Sequence, residues 1–202
     1  METKILKPTN ENIAAAGEII RRGGLVAFPT ETVYGLGADA LNEEAVSKIY
    51  KAKGRPSDNP LIVHIAEKED ILPLVKEVTP AAKALMDAFF PGPLTIILPK
   101  SEKIGSVVSG GLDTVGIRMP QNPVARAFIK AAGTPVAAPS ANTSGLPSPT
   151  NAKYVIEDMR GRIDAVIDGG SCEFGIESTV LSLAGDVPTI LRPGAVTREM
   201  LS

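Results

Sequence analysis

With 202 residues, 44% of them hydrophobic, the chain is long enough for one well-cored α/β domain and short for two. A formal charge of −2 with only 4% aromatics counts against a nucleic-acid-coating protein, and a lone cysteine, Cys172, excludes an internal disulfide or a cysteine-built zinc site. No apolar run reaches the roughly 18–20 residues of a membrane span, and METKILKPTNENIAAAG has no signal-peptide core, so a cytoplasmic protein without membrane association is expected.

Asn10 to Arg22 reads as a helix capped by Asn10, with Ile13, Ala16 and Ile20 on one face and Gly23-Gly24 as its stop. Leu25–Phe28 reads as a short buried strand ending at Pro29, followed by the glycine-bearing segment TETVYGLGAD. A second helix is expected over Glu43 to Lys53, and Pro60 opens the strand LIVHI. Thr79-Pro80 starts a helix that stops at Pro91-Gly92, and Asn122-Pro123 starts another ending near Gly133. Strands alternate with these at LTIIL (94–98), TVGIRM (114–119) and PVAA (135–138). The tail carries DAVID (164–168), then STVLSL and TILR joined through Gly185-Asp186 as a hairpin. The expected fold is a three-layer α/β domain over residues 1–202, with a twisted mixed sheet flanked by helices. Residues 138–150, APSANTSGLPSPT, read as a loop inside that domain, because the fifty residues after them make a marginal core.

Chemistry-bearing residues gather at few places. Lys48 and Lys51 belong to the C-terminal part of a helix, where the dipole and solvent both favour cations. Lys53 and Arg55 instead flank Gly54, the expected cap, and Pro56 fixes the exit; two long cations aimed beyond a helix suit a polyanion such as a triphosphate. His64, the one histidine, falls between Val63 and Ile65, and a satisfied structural histidine is the default there. No G-x-S-x-G elbow and no P-loop occur, and Gly35-Leu36-Gly37-Ala38-Asp39-Ala40 matches a dinucleotide fingerprint out of its strand-to-helix context. Pro139-Ser140-Ala141-Asn142, trailed by Ser144, Ser148 and Thr150, reads equally as a surface turn or as a phosphate cradle. Arg118, inside an apolar strand, requires an anion, either a structural carboxylate or a ligand's. Glu177-Ser178-Thr179 and Arg192-Pro193-Gly194 stand at strand boundaries where they could complete one cleft.

Taken in order, Pro29-Thr30-Glu31-Thr32-Val33-Tyr34-Gly35-Leu36, Lys53-Gly54-Arg55-Pro56 with Pro60-Leu61 and His64, Ser140-Ala141-Asn142, Ser178-Thr179-Val180 and Arg192-Pro193-Gly194 resemble the YrdC/TsaC family of L-threonylcarbamoyladenylate synthases. The likeness runs over about residues 7 to 200. It implies a twisted mixed sheet with a large concave cleft, and a nucleotidyltransferase that makes threonylcarbamoyl-AMP and pyrophosphate from L-threonine, bicarbonate or CO2, and ATP. Other proteins then carry the group to a tRNA adenosine beside the anticodon, so tRNA or its modification machinery is an implied partner.

By the same resemblance Lys53 and Arg55 are the catalytic cations, and Lys53, Arg55, Asn59, Thr114, Ser140, Asn142, Ser148 and Arg192 hold ATP. Thr32, His64, Arg118, Ala138 (through its backbone) and Ser178 hold threonine, with Arg118 on its carboxylate. Mg2+ is expected on the triphosphate without dedicated protein ligands. The base that takes threonine's proton stays open between Glu31, Glu177 and the substrate. Family members occur as single domains and as longer proteins; ending soon after Arg192-Pro193-Gly194-Ala195-Val196, this chain reads as the short form or an excised catalytic domain. Two other functions fit the residues less well: an RNA-binding module, and a carbamoyl-adenylate-forming domain like those of hydrogenase-maturation proteins.

Overall fold

Thr9, rather than Asn10, caps the first helix. Its hydroxyl accepts the Asn12 N–H at 3.2 Å, and α1 runs Asn10–Arg21 before Gly23 turns the chain at φ 75°. The structure is a computed structural model that describes residues 2–201. The other expected helices start and stop where the sequence places them. In α2 (Glu43–Lys53), Asn42 caps the Ala45 N–H and Gly54 ends the helix at φ 62°. Thr79 caps α3 (Pro80–Phe89), a single turn forms α4 (Ser106–Ser109), and Asn122 caps α5 (Pro123–Ala132). Asn151 caps α6 (Ala152–Met159). Each cap satisfies N–H groups that have no partner within the helix.

The strands are β1 (Lys4–Leu6), β2 (Val26–Phe28), β3 (Gly35–Asp39), β4 (Ile62–His64), β5 (Leu94–Pro99), β6 (Thr114–Arg118), β7 (Val136–Ala137), β8 (Ala165–Ile167), β9 (Thr179–Ser182) and β10 (Thr189–Arg192). Among the described residues they form one ten-stranded sheet in the order β1-β8-β2-β3-β7-β4-β6-β5-β9-β10. Parallel pairs (β1/β8, β2/β8, β4/β6, β5/β9) mix with antiparallel ones, as expected, and β9–β10 is the expected hairpin. Two strands correct the sequence reading. β1 was not expected at all, and the glycine-bearing segment TETVYGLGAD, given no strand in the sequence reading, contains β3, which pairs antiparallel with β2.

Alternation along the strands builds the two faces. Val26, Phe28, Val136, Ala138, Ala165 and Ile167 pack with Ala16 and Ile20 of α1 and with Phe128 and Ile129 of α5. The intervening Ala27, Ala137 and Val166 belong to the opposite layer, with Val46 and Ile49 of α2, Met86 of α3 and Val155 of α6. α1 and α5 lie close because Gly17 has no side chain: a Cβ there would stand 2.6 Å from the Ala131 carbonyl. This helix pair covers the β8-β2-β3-β7 half of its face. On the same face, the β4-β6-β5-β9 half carries Ile62, Gly116, Ile97 and Val180, none of which is fully buried. That uncovered half is the floor of a cleft.

Candidate active site

A cavity of about 320 Å³ opens on this floor, within the range of small-molecule sites. Ile62 and His64 of β4 pair in register with Gly116 and Arg118 of β6, and Ile97 of β5 faces Gly116 from the other side. A Cβ on Gly116 would approach the Thr95 methyl to 3.1 Å, so the missing side chain keeps the floor open. Thr30, Thr32, Val33 and Gly35 form one wall, Ala138, Pro139 and Ser140 a second, and Glu177, Ser178, Leu191 and Arg192 a third.

At one end Arg118 is almost wholly buried, and its anion is a structural carboxylate. One Nη2 donates to Glu31 Oε1 at 2.6 Å, Nη1 to the Thr32 hydroxyl at 2.9 Å, and Nε to the Gly92 carbonyl at 3.4 Å. The other Glu31 oxygen accepts the Gln121 and Asn122 N–H groups at 3.0 and 3.3 Å, fastening the start of α5 to the same carboxylate. Three of the five guanidinium N–H donors are thereby used, and two remain for a ligand. His64 lies beside Arg118, with Phe28 edge-on at 5.9 Å. Burial, and then the Arg118 charge, holds its pKa down to about 3, so the imidazole is neutral at ordinary pH. Its Nδ1 is buried without a partner.

At the other end Arg192 donates from Nη1 to Glu177 Oε2, from Nε to the Ser178 carbonyl at 3.0 Å and from Nη2 to the Ser178 hydroxyl at 3.1 Å. That hydroxyl shares a 2.8 Å hydrogen bond with Thr95, and Glu177 Oε1 accepts from Ser148 at 2.8 Å. Arg55 lines the mouth, with one Nη2 on the Pro60 carbonyl at 3.3 Å and a buried, unpartnered Nε. Burial lowers the pKa of both Arg55 and Arg192. Two guanidinium groups face one opening with a single carboxylate among them.

Of the residues expected at the site, Thr32, Arg55, Asn59, His64, Arg118, Ala138, Ser140, Ser178 and Arg192 line this cavity. Asn142 and Ser148 border a second hollow instead, with Tyr154 and Asp158. Thr114 lines neither. Lys53 departs most from its expected place. It is not presented to the opening but is 1% exposed, with its ammonium on the Ser140 carbonyl at 2.5 Å and on the Asn142 carbonyl. The reason is the helix end itself: the left-handed Gly54 turns Arg55 outward and leaves Lys53 on the inner side of the last turn. Lys48 donates to the Gly23 carbonyl at 2.9 Å, in keeping with its structural reading. Thr30 and Thr95 are site residues that the sequence reading missed. Thr95 did carry a signal: in LTIIL it shares a face with Ile97, opposite the core residues Leu94 and Ile96. Among the described residues no group of three or more His, Cys, Asp or Glu could hold a metal ion, and no helix is long and apolar enough to cross a membrane.

The family model Sua5_yciO_yrdC, described as "Telomere recombination", matches residues 18–194. A threonylcarbamoyl-AMP synthase of Bacillus subtilis is 54% identical over 98% of this chain and 58% of its own length. One of Pyrococcus abyssi is also 54% identical, over 93% of this chain and 55% of its own length. A crystal structure of P. abyssi Sua5 complexed with L-threonine superposes with a TM-score of 0.93 at 52% identity, covering 96% of this chain and 58% of that one. The chain thus spans little more than half the length of these relatives, and 93–98% of it lies inside the similarity. It belongs to the Sua5/YciO/YrdC family.

Proposed function

We propose that the chain is an L-threonylcarbamoyladenylate synthase, joining L-threonine, bicarbonate or CO2, and ATP into threonylcarbamoyl-AMP with release of pyrophosphate. The observation that carries this reading is the convergence of three guanidinium groups, Arg55, Arg118 and Arg192, on the lining of one cavity whose one carboxylate is Glu177. So many cations around one small space ask for an anionic ligand. The similarity to threonylcarbamoyl-AMP synthases and to a threonine-bound structure supports threonine and ATP as what the cavity receives.

In this reading the two free N–H groups of Arg118 take threonine's carboxylate, and Thr32, Ser178 and the Ala138 backbone surround the amino acid. Neutral His64 offers a hydrogen bond rather than a proton. Glu31, committed to Arg118 and two backbone N–H groups, is not free to act as a base. Once threonine's ammonium has lost a proton, the amine adds to the bicarbonate carbon with loss of water, giving a carbamate. A carbamate oxygen then attacks the α-phosphorus; the bond to the bridging oxygen breaks and pyrophosphate leaves with the electron pair. Arg55, Arg192, Ser140 and Asn59 neutralise and orient the phosphates, with Asn142, Ser148 and Thr114 farther out along the nucleotide. Such a transfer needs positioning and charge compensation more than a protein nucleophile. Mg2+ bound to the triphosphate would add further charge neutralisation; the donor set here, cations and hydroxyls without a carboxylate cluster, fits an ion held by phosphate and water. The threonylcarbamoyl group would then pass to tRNA through other proteins.

Calorimetric titration tests the amino-acid end. Wild-type chain should bind L-threonine, and Arg118→Met should weaken binding by at least roughly tenfold, the loss of a charge-assisted contact. Unchanged threonine affinity in that variant would refute the assignment.

A further inference from the structure

Lys53 is the one cation of the expected phosphate set that faces away from the opening, and its surroundings are specific. The 139–144 loop hangs between β3 and the end of α2. On the β3 side the Leu36 N–H donates to the Pro139 carbonyl and the Ala141 N–H to the Tyr34 carbonyl, both at 2.8 Å. On the α2 side the Ser144 N–H donates to the Lys53 carbonyl at 2.8 Å, while the Lys53 ammonium donates to the Ser140 and Asn142 carbonyls, with Asn142 Oδ1 at 3.5 Å. No carboxylate touches the ammonium. Its charge is met chiefly by two main-chain carbonyls and, at longer range, by Asn142 Oδ1, and Thr143 is held separately by Asp158 through its N–H and hydroxyl.

We propose that Lys53 is a positioning residue, a brace whose ammonium fixes the backbone of residues 140–142 so that Ser140 and the loop N–H groups are set for the triphosphate, without itself touching phosphate. This rests on the adenylate-forming reading above. The placement explains why a lysine is needed: a flexible stem reaches two carbonyls from a helix end, and three rotatable N–H donors serve both at once. Burial is the main cause that brings its pKa down to about 8, with Arg55 nearby adding to the fall and Asp158 and Glu177 opposing it. The brace is therefore charged at neutral pH and loses its proton a little above it, weakening charge-assisted bonds to neutral ones.

The test is amide hydrogen exchange of the ligand-free chain combined with ATP titration, on wild type and Lys53→Met, which fills the same slot without a donor. The brace predicts at least tenfold faster exchange at Ala141 and Ser144 in the variant, unchanged exchange in α5, at least tenfold weaker ATP binding, and threonine affinity within twofold. A lysine that ligates phosphate directly would lower ATP affinity and leave the ligand-free loop unchanged, which overturns the proposal; so does a loosened loop with unaltered ATP affinity. If the variant fails to fold, wild type decides the matter: protection of Ala141 and Ser144, corrected for intrinsic exchange, should fall between pH 7 and pH 9.5, and pH-independent protection refutes the brace. Absence of ATP binding by the wild type would instead refute the adenylate reading, and the exchange data would still decide whether Lys53 braces the loop.

Discussion

Glu31 and Arg118 form the most consequential contact between single residues. The pair is 2.6 Å apart, with side chains 3% and 5% exposed, and each partner would be an uncompensated buried charge without the other. Removing one member of such a pair costs about 3–5 kcal/mol, whereas replacing both with apolar groups is often neutral. Glu31→Ala should therefore lower urea-measured stability by about 3–5 kcal/mol, and Glu31→Met with Arg118→Met should recover much of it. A single-variant loss below about 1 kcal/mol would show that water or a neighbour already compensates the charge. His64 gives a pH signature. Its pKa in the folded chain, about 3, lies below its ordinary value of 6.5, so between these values the unfolded chain binds the extra proton. The histidine's contribution to stability is present above pH 6.5 and is lost as pH falls toward 3. Comparison of acid unfolding in wild type and His64→Leu should find a shallower loss of stability in the variant over that window; parallel curves would show that His64 titrates normally.

At the scale of elements, the helices were legible because their ends are written locally. Thr79-Pro80, Asn122-Pro123 and Gly133 each act within one turn of their own position. Thr79→Ala should accordingly cost about 1 kcal/mol, read from the denaturation midpoint, since one capped N–H loses its acceptor. β3 was not legible for the opposite reason. Gly35 and Gly37 look like loop residues, yet they stand in a strand because a Cβ would come within 3.2 Å of the Phe28 ring at one and 2.7 Å of Val136 at the other. Only the packed sheet reveals that demand. β1 was missed because its partner β8 is about 160 residues away, and Glu31, a candidate base in the sequence, could not be paired with Arg118 because the two lie 87 residues apart. The cleft-lining cations Arg55 and Arg192 stood out as charges at turns, while the burial of Lys53 depends on a loop that sequence spacing does not place. Gly116 is the element-scale test of the cleft floor. Gly116→Val should abolish threonine binding in a titration while the far-UV circular dichroism stays native, because a β-branched residue suits the strand but occupies the opening. Full threonine affinity in that variant would move the site elsewhere.

For the whole molecule, the cleft follows from an incomplete layer. α1 and α5 cover half of one sheet face, and the exposed half brings together residues from β4, β5, β6 and β9 that are far apart in sequence. In the proposed function, one substrate's carboxylate at Arg118 and the other's phosphates at Arg55 and Arg192 would bring the two reactants over the same small floor, where proximity would replace a catalytic nucleophile. The acidic balance of the chain, −2 overall, is compatible with this because three arginines, Arg55, Arg118 and Arg192, line the one cavity beside a single carboxylate, Glu177. The most direct test is pyrophosphate release from ATP by the 202-residue chain, with the nucleotide product identified by mass. Release that requires both L-threonine and bicarbonate and yields threonylcarbamoyl-AMP is the expected result. Pyrophosphate release that ignores threonine, or none with all three substrates present, would contradict it.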